Sequence, residues 1–169
     1  MEAASSSSLA PYREEADRFI AALDEEYYLH YAGLKEDFEL ESIYERFADL
    51  TTLDACRNLA EAAAAGGAGE RELWRFACDG YLGQLTRAEA EEIAGLEASL
   101  TASVDGEEIP YRMLRPAIAN EPDADRRARL DAARVELAEE HLTPRHVCLA
   151  EKRRAGASGT GSPRRPRRP

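Results

Sequence analysis

LTASVDGEEIPY, residues 100–111, interrupts an otherwise helical chain and decides how the whole is read. Leu100–Val104 and Glu107–Tyr111 flank the dipeptide Asp105-Gly106. Asp-Gly tolerates the positive φ angles of a two-residue hairpin turn, so the stretch predicts strand, turn, strand. Pro110 donates no N–H and suits an outer edge. A lone hairpin is marginal in water and must pack on something. Its neighbours on both sides are helical in pattern. We therefore expect a mostly α fold: a multi-helix array with one β-hairpin before the last long helix.

Beyond the hairpin, the pattern of Met113–Asn120 does not choose between helix and loop. Pro122 opens a helix over Asp123–Leu142, with Leu130, Ala133, Leu137 and Leu142 on one face. Asp123 with Arg127, and Asp125 with Arg129, have the i,i+4 spacing of helical ion pairs. Thr143-Pro144 should stop this helix. Past Ala150 the residues turn basic and poor in apolar side chains, so 151–169 reads as a disordered tail that adds nothing to a core.

On the other side, residues 1–10 with their serine run read as a disordered lead-in, and 11–150 as a single helical domain. Pro11 suits a helical first turn. Phe19, Ile20, Leu23, Tyr27 and Tyr31 then recur at helical spacing, and Gly33 can end the helix. A short helix follows over Ser42–Asp49. Thr52 can cap a third through Ala64, ended by the Gly66–Gly69 run. Glu70–Ser99 carries the stripe Leu73, Trp74, Ala77 and Tyr81. Gly80 and Gly83 weaken its middle, and Thr86 with Glu89 has capping-box spacing. Two outcomes stay open there: one long helix, or two that break near Gly83–Thr86.

The 169 residues are 44% hydrophobic and 33% charged, as a globular helical protein would be. The net charge of −11 is split. Residues 1–150 hold 15 Lys+Arg against 32 Asp+Glu, a net −17, and residues 151–169 hold 7 against 1, a net +6. Such an acidic body repels phosphates, so nucleic acid is not the expected partner, and the basic tail could instead fold back on the body. MEAASSSSLAPY has neither the basic nor the apolar region of a secretory signal. No apolar run nears the ~20 residues of a membrane span, so the default expectation is cytoplasmic, with no membrane partner. Cys56, Cys78 and Cys148 form no close pair in sequence and read as reduced thiols.

Catalytic motifs are missing. A helical zinc peptidase places two imidazoles on one helical face around a glutamate, as His-Glu-x-x-His. His30, His141 and His146 are followed by Tyr31, Leu142 and Val147, so no such motif occurs. We assign no catalytic, metal or cofactor residue. The nine carboxylates of Asp24–Asp49 read as a solvated face rather than an acid–base pair. Tyr27, Tyr28, His30 and Tyr31 have two readings: a packed helix–helix interface, or an amphipathic wall facing a peptide or other ligand. Tyr27 and Tyr31 fall on the apolar stripe, with Tyr28 and His30 beside it. Tyr28, His30 and Tyr31 are the candidate surface for a peptide or partner.

Three segments together carry a resemblance: EEYYLHYAGLKEDFELESIYERFADLT at 25–51, WRFACDGYLGQLT at 74–86, and LTASVDGEEIPYRMLRPAIANEPDADRRARLDAARVELAEEHLTP at 100–144. Over roughly Tyr12–His146 the chain resembles the N-terminal part of bacterial zinc peptidases of the thimet oligopeptidase and oligoendopeptidase F group. The hairpin followed by Asn120-Glu121-Pro122-Asp123 and an arginine-rich helix is its most specific piece. The resemblance implies a helical wall beside a substrate channel, with zinc and its ligands on a later segment. No family catalytic residue maps onto this sequence. The expectation is a non-catalytic, truncated or split peptidase portion, its basic tail explicable by a frameshift. Its partner would be a second chain carrying the catalytic half, or a copy of itself. The alternative is a free-standing acidic module that binds protein or peptide.

Overall fold

A computed structural model describes residues 9–160. Residues 1–8, with the serine run, and 161–169 lie outside the described residues, and Ala10 of the expected disordered lead-in already belongs to the first helix. The chain runs α1 (Ala10–Tyr31), α2 (Glu41–Arg46), a 3₁₀ turn (Ala48–Thr51), α3 (Leu53–Ala65), α4 (Ala68–Ser99), β1 (Thr101–Val104), β2 (Glu107–Pro110), α5 (Tyr111–Asn120), α6 (Ala124–Leu137), a π-helical turn (Ala138–Leu142) and α7 (Thr143–Ala157). The expected mostly helical array, with one hairpin ahead of the final long helical stretch, is the observed fold.

The spine is α4, a continuous helix of 32 residues. The Gly83–Thr86 break does not occur. Thr86 turns its hydroxyl back to the Leu82 carbonyl at 2.9 Å, the bond of a mid-helix threonine rather than of a cap. The central glycines have a packing reason. Tyr44 of α2 lies across α4 at Gly83, where an added Cβ would overlap Tyr44 Oη and sit 3.1 Å from its Cζ. Tyr44 cannot swing away, because it is buried edge-to-face on Phe19 with centroids 5.2 Å apart. Gly83→Ala should therefore lose about 1–2 kcal/mol in urea unfolding, since an overpacking cost of about 1–3 kcal/mol exceeds the roughly 1 kcal/mol of helix propensity gained. In a Tyr44→Phe background the same change should cost less. An equal loss in both backgrounds would remove the clash as its cause.

Two clusters line this spine. The first gathers Phe19, Phe38, Leu40, Ile43, Tyr44, Phe47, Leu50 and Ala94, and the second gathers Cys56, Leu59, Leu73, Ala77 and Cys78. α3 starts where expected, with Thr52 accepting the Ala55 N–H at 3.0 Å. α2 takes its cap from another helix. Glu91 Oε1 of α4 accepts the N–H groups of Leu40 at 2.6 Å and Glu41 at 2.9 Å.

The hairpin pairs Thr101 with Pro110 and Val104 with Glu107. Its turn residues Asp105 and Gly106 have φ of 55° and 84°. Ala102, Val104 and Ile109 join Leu114 of α5 and Leu130 of α6 in a third cluster. The undecided segment after the hairpin is helix α5. The expected helical ion pairs of α6 are replaced by longer reaches: Arg129 binds Asp105 at 2.9 Å, Arg126 binds Glu107 at 2.6 Å, and Arg127 donates to the Glu121 carbonyl at 2.7 Å. The arginines thus fasten α6 to the hairpin turn, and Asp123 serves as the α6 cap.

The last helix does not stop at Thr143-Pro144. Pro144 lacks the N–H that an α-helical ladder would need there. The chain widens through Ala138–Leu142, where the Thr143 N–H reaches the Ala138 carbonyl, and continues as α7. α7 returns along α4 with Arg145 on Glu92 at 2.5 Å, Lys152 on Glu89 and Arg153 on Asp79 at 3.6 Å. Residues 151–157 are therefore helix, not tail, and the body ends in a turn whose Thr160 is buried. Basic residues that add no apolar area are held here by the acidic flank of α4, although exposed pairs of this kind contribute little each.

Candidate functional site

The C-terminal end of α1 carries the candidate residues. It closes in a two-bond cap: the Gly33 N–H reaches the His30 carbonyl at 3.0 Å and the Leu34 N–H reaches the Leu29 carbonyl at 2.8 Å. Gly33 has φ of +73°, which this cap requires. The cap turns Leu34 outward and sends the chain back so that Phe38 packs beneath the tyrosines. The Phe38 centroid lies 4.9 Å from Tyr27 and 6.0 Å from Tyr31.

The buried stripe of α1 is not the one expected. Ala16, Phe19, Glu26 and His30 are buried, whereas Ile20, Tyr27 and Tyr31 are exposed. The helix is rotated so that two polar residues face inward, and each meets a partner there. Glu26 receives Lys35 Nζ at 2.8 and 3.0 Å and the Glu39 N–H at 2.7 Å. His30, expected at the partner surface, is 0% exposed and belongs to the interior. Arg112 of α5 reaches it: Nη2 lies 2.5 Å from His30 Nε2 and 3.3 Å from the Ala94 carbonyl. A guanidinium only donates, so Nε2 is the acceptor in this contact. His30 Nδ1 has no hydrogen-bond partner. This joint ties α1, α4 and α5 together.

Tyr28 and Tyr31, the other two candidates, are 66% and 50% exposed, and Tyr27 and Leu34 extend the patch at 42% and 66%. Tyr27 and Tyr31 stack with planes 9° apart. The Arg112 guanidinium lies over the Tyr31 ring at 5.3 Å. Burial is the main cause that raises the Tyr31 phenol above its ordinary range, with Glu97 and Tyr27 adding to it and Arg112 opposing. Tyr27 is raised by burial too. Both phenols are therefore neutral hydroxyls at physiological pH, able to donate and to accept. The face is aromatic, rigid at its base and polar at its rim. Such a surface suits a peptide or a protein segment.

Elsewhere the chemistry is sparse. Among the described residues, no three His, Cys, Asp or Glu side chains are arranged to hold a metal ion. His141 stands beside Glu140 at 3.9 Å, His146 is exposed, and His30 is engaged by Arg112. These residues do not fit a zinc site. The carboxylates of the tyrosine-rich segment are either solvated or bound, as Glu41 is to Arg87 at 2.5 Å. No helix among the described residues is long and apolar enough to cross a membrane. Compared with family models, with curated proteins and with solved structures, the chain matches none.

Proposed function

We propose that this chain is a non-catalytic helical domain of the zinc-oligopeptidase type, which presents the aromatic end of α1 as a wall to a peptide or to a second chain carrying the catalytic half. One observation carries this reading: Tyr27, Tyr28, Tyr31 and Leu34 are exposed together over a base fixed by Phe38 and Arg112. Exposed apolar side chains gathered on one face, with hydroxyls at the rim, are a feature of binding surfaces. The peptidase part of this reading rests on the sequence resemblance over segments 25–51, 74–86 and 100–144. Zinc, in this reading, belongs to the partner.

Tyr28→Ala/Tyr31→Ala should leave folding intact, because both rings are largely outside the core. Affinity for partner or peptide should fall roughly tenfold or more, as expected for aromatic anchors at an interface centre. The measurement is co-purification from the native cell with mass spectrometry, beside fluorescence polarisation with a labelled peptide pool. Recovery of a His-Glu-x-x-His chain by the wild type, and its loss in the double variant, is the expected result. Peptide binding without any such chain would favour a free-standing module on the same face. Equal recovery and equal peptide binding by both proteins would sink the assignment of the face.

A further inference from the structure

Residues 161–169 read GSPRRPRRP, with proline at 163, 166 and 169 and two arginines in each interval. A period of three is that of the polyproline II helix, which turns once in three residues. In that conformation the three proline rings share one edge and the arginines line the others. Aromatic side chains take such prolines, and carboxylates take such arginines.

The helical body offers both. On the aromatic face the Tyr27 and Tyr31 rings are 6.0 Å apart and nearly parallel, beside Tyr28 and Leu34. Carboxylates surround them. Asp24 and Glu25 stand one helical turn before Tyr28, Glu36 and Asp37 follow Leu34, and all four are exposed. Among the described residues, no cation pairs with any of these four. Glu97 of α4 is close enough to Tyr31 to help raise its phenol. The cations nearby are engaged: Lys35 with Glu26 and Glu39, each at 2.8 Å, and Arg112 with His30. Apolar rings within an acidic rim complement residues 163–169 in both respects.

We propose that residues 163–169 of one copy of this chain dock on the aromatic face of a second copy, a pairing that rests on the assignment of that face as a binding surface. The prolines lie on the tyrosine rings and the arginines meet the rim carboxylates. Reach excludes the same chain. α1 and α4 run parallel, since Tyr12 meets Phe76 while Arg112 joins His30 to the Ala94 carbonyl. α7 runs the other way, with Arg145 on Glu92 and Gly156 closely packed on Leu82 and Leu85. Gly159 then lies against Leu53 at the start of α3, at 3.8 Å. Thr160 is thus about 20–24 Å back along α4 from the level of Ala94. Pro163, three residues on, comes at most about 11 Å nearer. The three prolines therefore cannot lie together on the face of their own chain, whereas a second copy brings them without that crossing.

Three full-length proteins test this: the wild type, the tail variant Arg164→Ser/Arg165→Ser/Arg167→Ser/Arg168→Ser, and the face variant Tyr28→Ala/Tyr31→Ala. In sedimentation velocity at low salt the wild type should gain mass with concentration, while each variant alone stays a single chain. An equimolar mixture of the two variants should form a one-to-one complex, because each keeps the half of the contact that the other lacks. A wild type that stays a single chain, or a mixture that stays apart, would overturn the proposal. A labelled PRRPRRP peptide titrated into the tail variant should bind, more weakly as salt is raised. It should lose about tenfold when Tyr28→Ala/Tyr31→Ala is added. The rearranged peptide RRRRPPP should bind at least several-fold more weakly. Equal binding of the two peptides would mean that charge alone holds the segment, and would overturn the proline register. Should the face variant fail to fold, the two peptides on the tail variant decide. If peptides of other sequence bind the face while PRRPRRP does not, this partner falls and the face stands. If the face variant binds every peptide as the wild type does, both fall.

Discussion

Phe19→Ala should destabilise the protein by about 3–5 kcal/mol, a large share of the roughly 5–15 kcal/mol that holds a typical domain folded. Phe19 is 2% exposed and is the hub of the first cluster. Its ring meets Tyr44, Phe47 and Phe76 edge-to-face, at 5.2, 5.6 and 5.9 Å. Truncation removes the burial of one large ring and leaves a cavity whose walls belong to α1, α2 and α4. Those walls cannot close, because Tyr44 is fixed against Gly83 and α4 is continuous behind it. The neighbouring change Ile20→Ala is the control, since Ile20 is 43% exposed. It should cost well below the Phe19 value. Urea unfolding of the two variants measures the difference. Equal losses would mean that α1 buries the stripe expected from apolar spacing, with Ile20 inward, and not the rotated one.

That rotation shows where the sequence could be read and where it could not. Local signals were reliable when the chemistry was local. Asp105-Gly106 specified the turn, Thr52 the start of α3 and Gly33 the end of α1, each through bonds spanning a few residues. The buried face of α1 depended on partners far along the chain. Glu26 could go inward only because Lys35 and the Glu39 N–H meet it, and His30 only because Arg112 arrives from 82 residues away. Counting apolar residues could not foresee polar side chains that bring their own partners to the core. Gly83 read as a weak point of a helix because the ring that needs its missing Cβ sits on another helix. Pro144 read as a stop because a widened π turn is not signalled by composition. The exposure of Tyr28 follows from its place off the apolar stripe, whereas Tyr31 lies on that stripe and is exposed only through the rotation. His30 was misplaced for the same reason as the stripe.

Leu114→Ala should cost about 2–5 kcal/mol and should act on one half of the molecule first. Leu114 is 0% exposed at the centre of the third cluster, among Ala102, Val104, Ile109 and Leu130. None of these buried residues belongs to the other two clusters. Cavity formation there should loosen β1, β2, α5 and α6 as a unit, the behaviour of a sub-global opening. Hydrogen exchange read by mass spectrometry should show early loss of protection in residues 101–137, with α1 and α3 retaining theirs. Arg112 stands two residues before Leu114 on α5, so its hold on His30 and Tyr31 should weaken in the same opening. The tyrosine face would then lose its cationic base while its backbone stays folded. A partner bound at that face should protect 101–137 even though it touches α1, because binding would stabilise the closed joint. Uniform exchange across α1, α3 and the hairpin in the variant would instead show one cooperative body, and the aromatic face would then be supported by the whole fold rather than through the Arg112 joint.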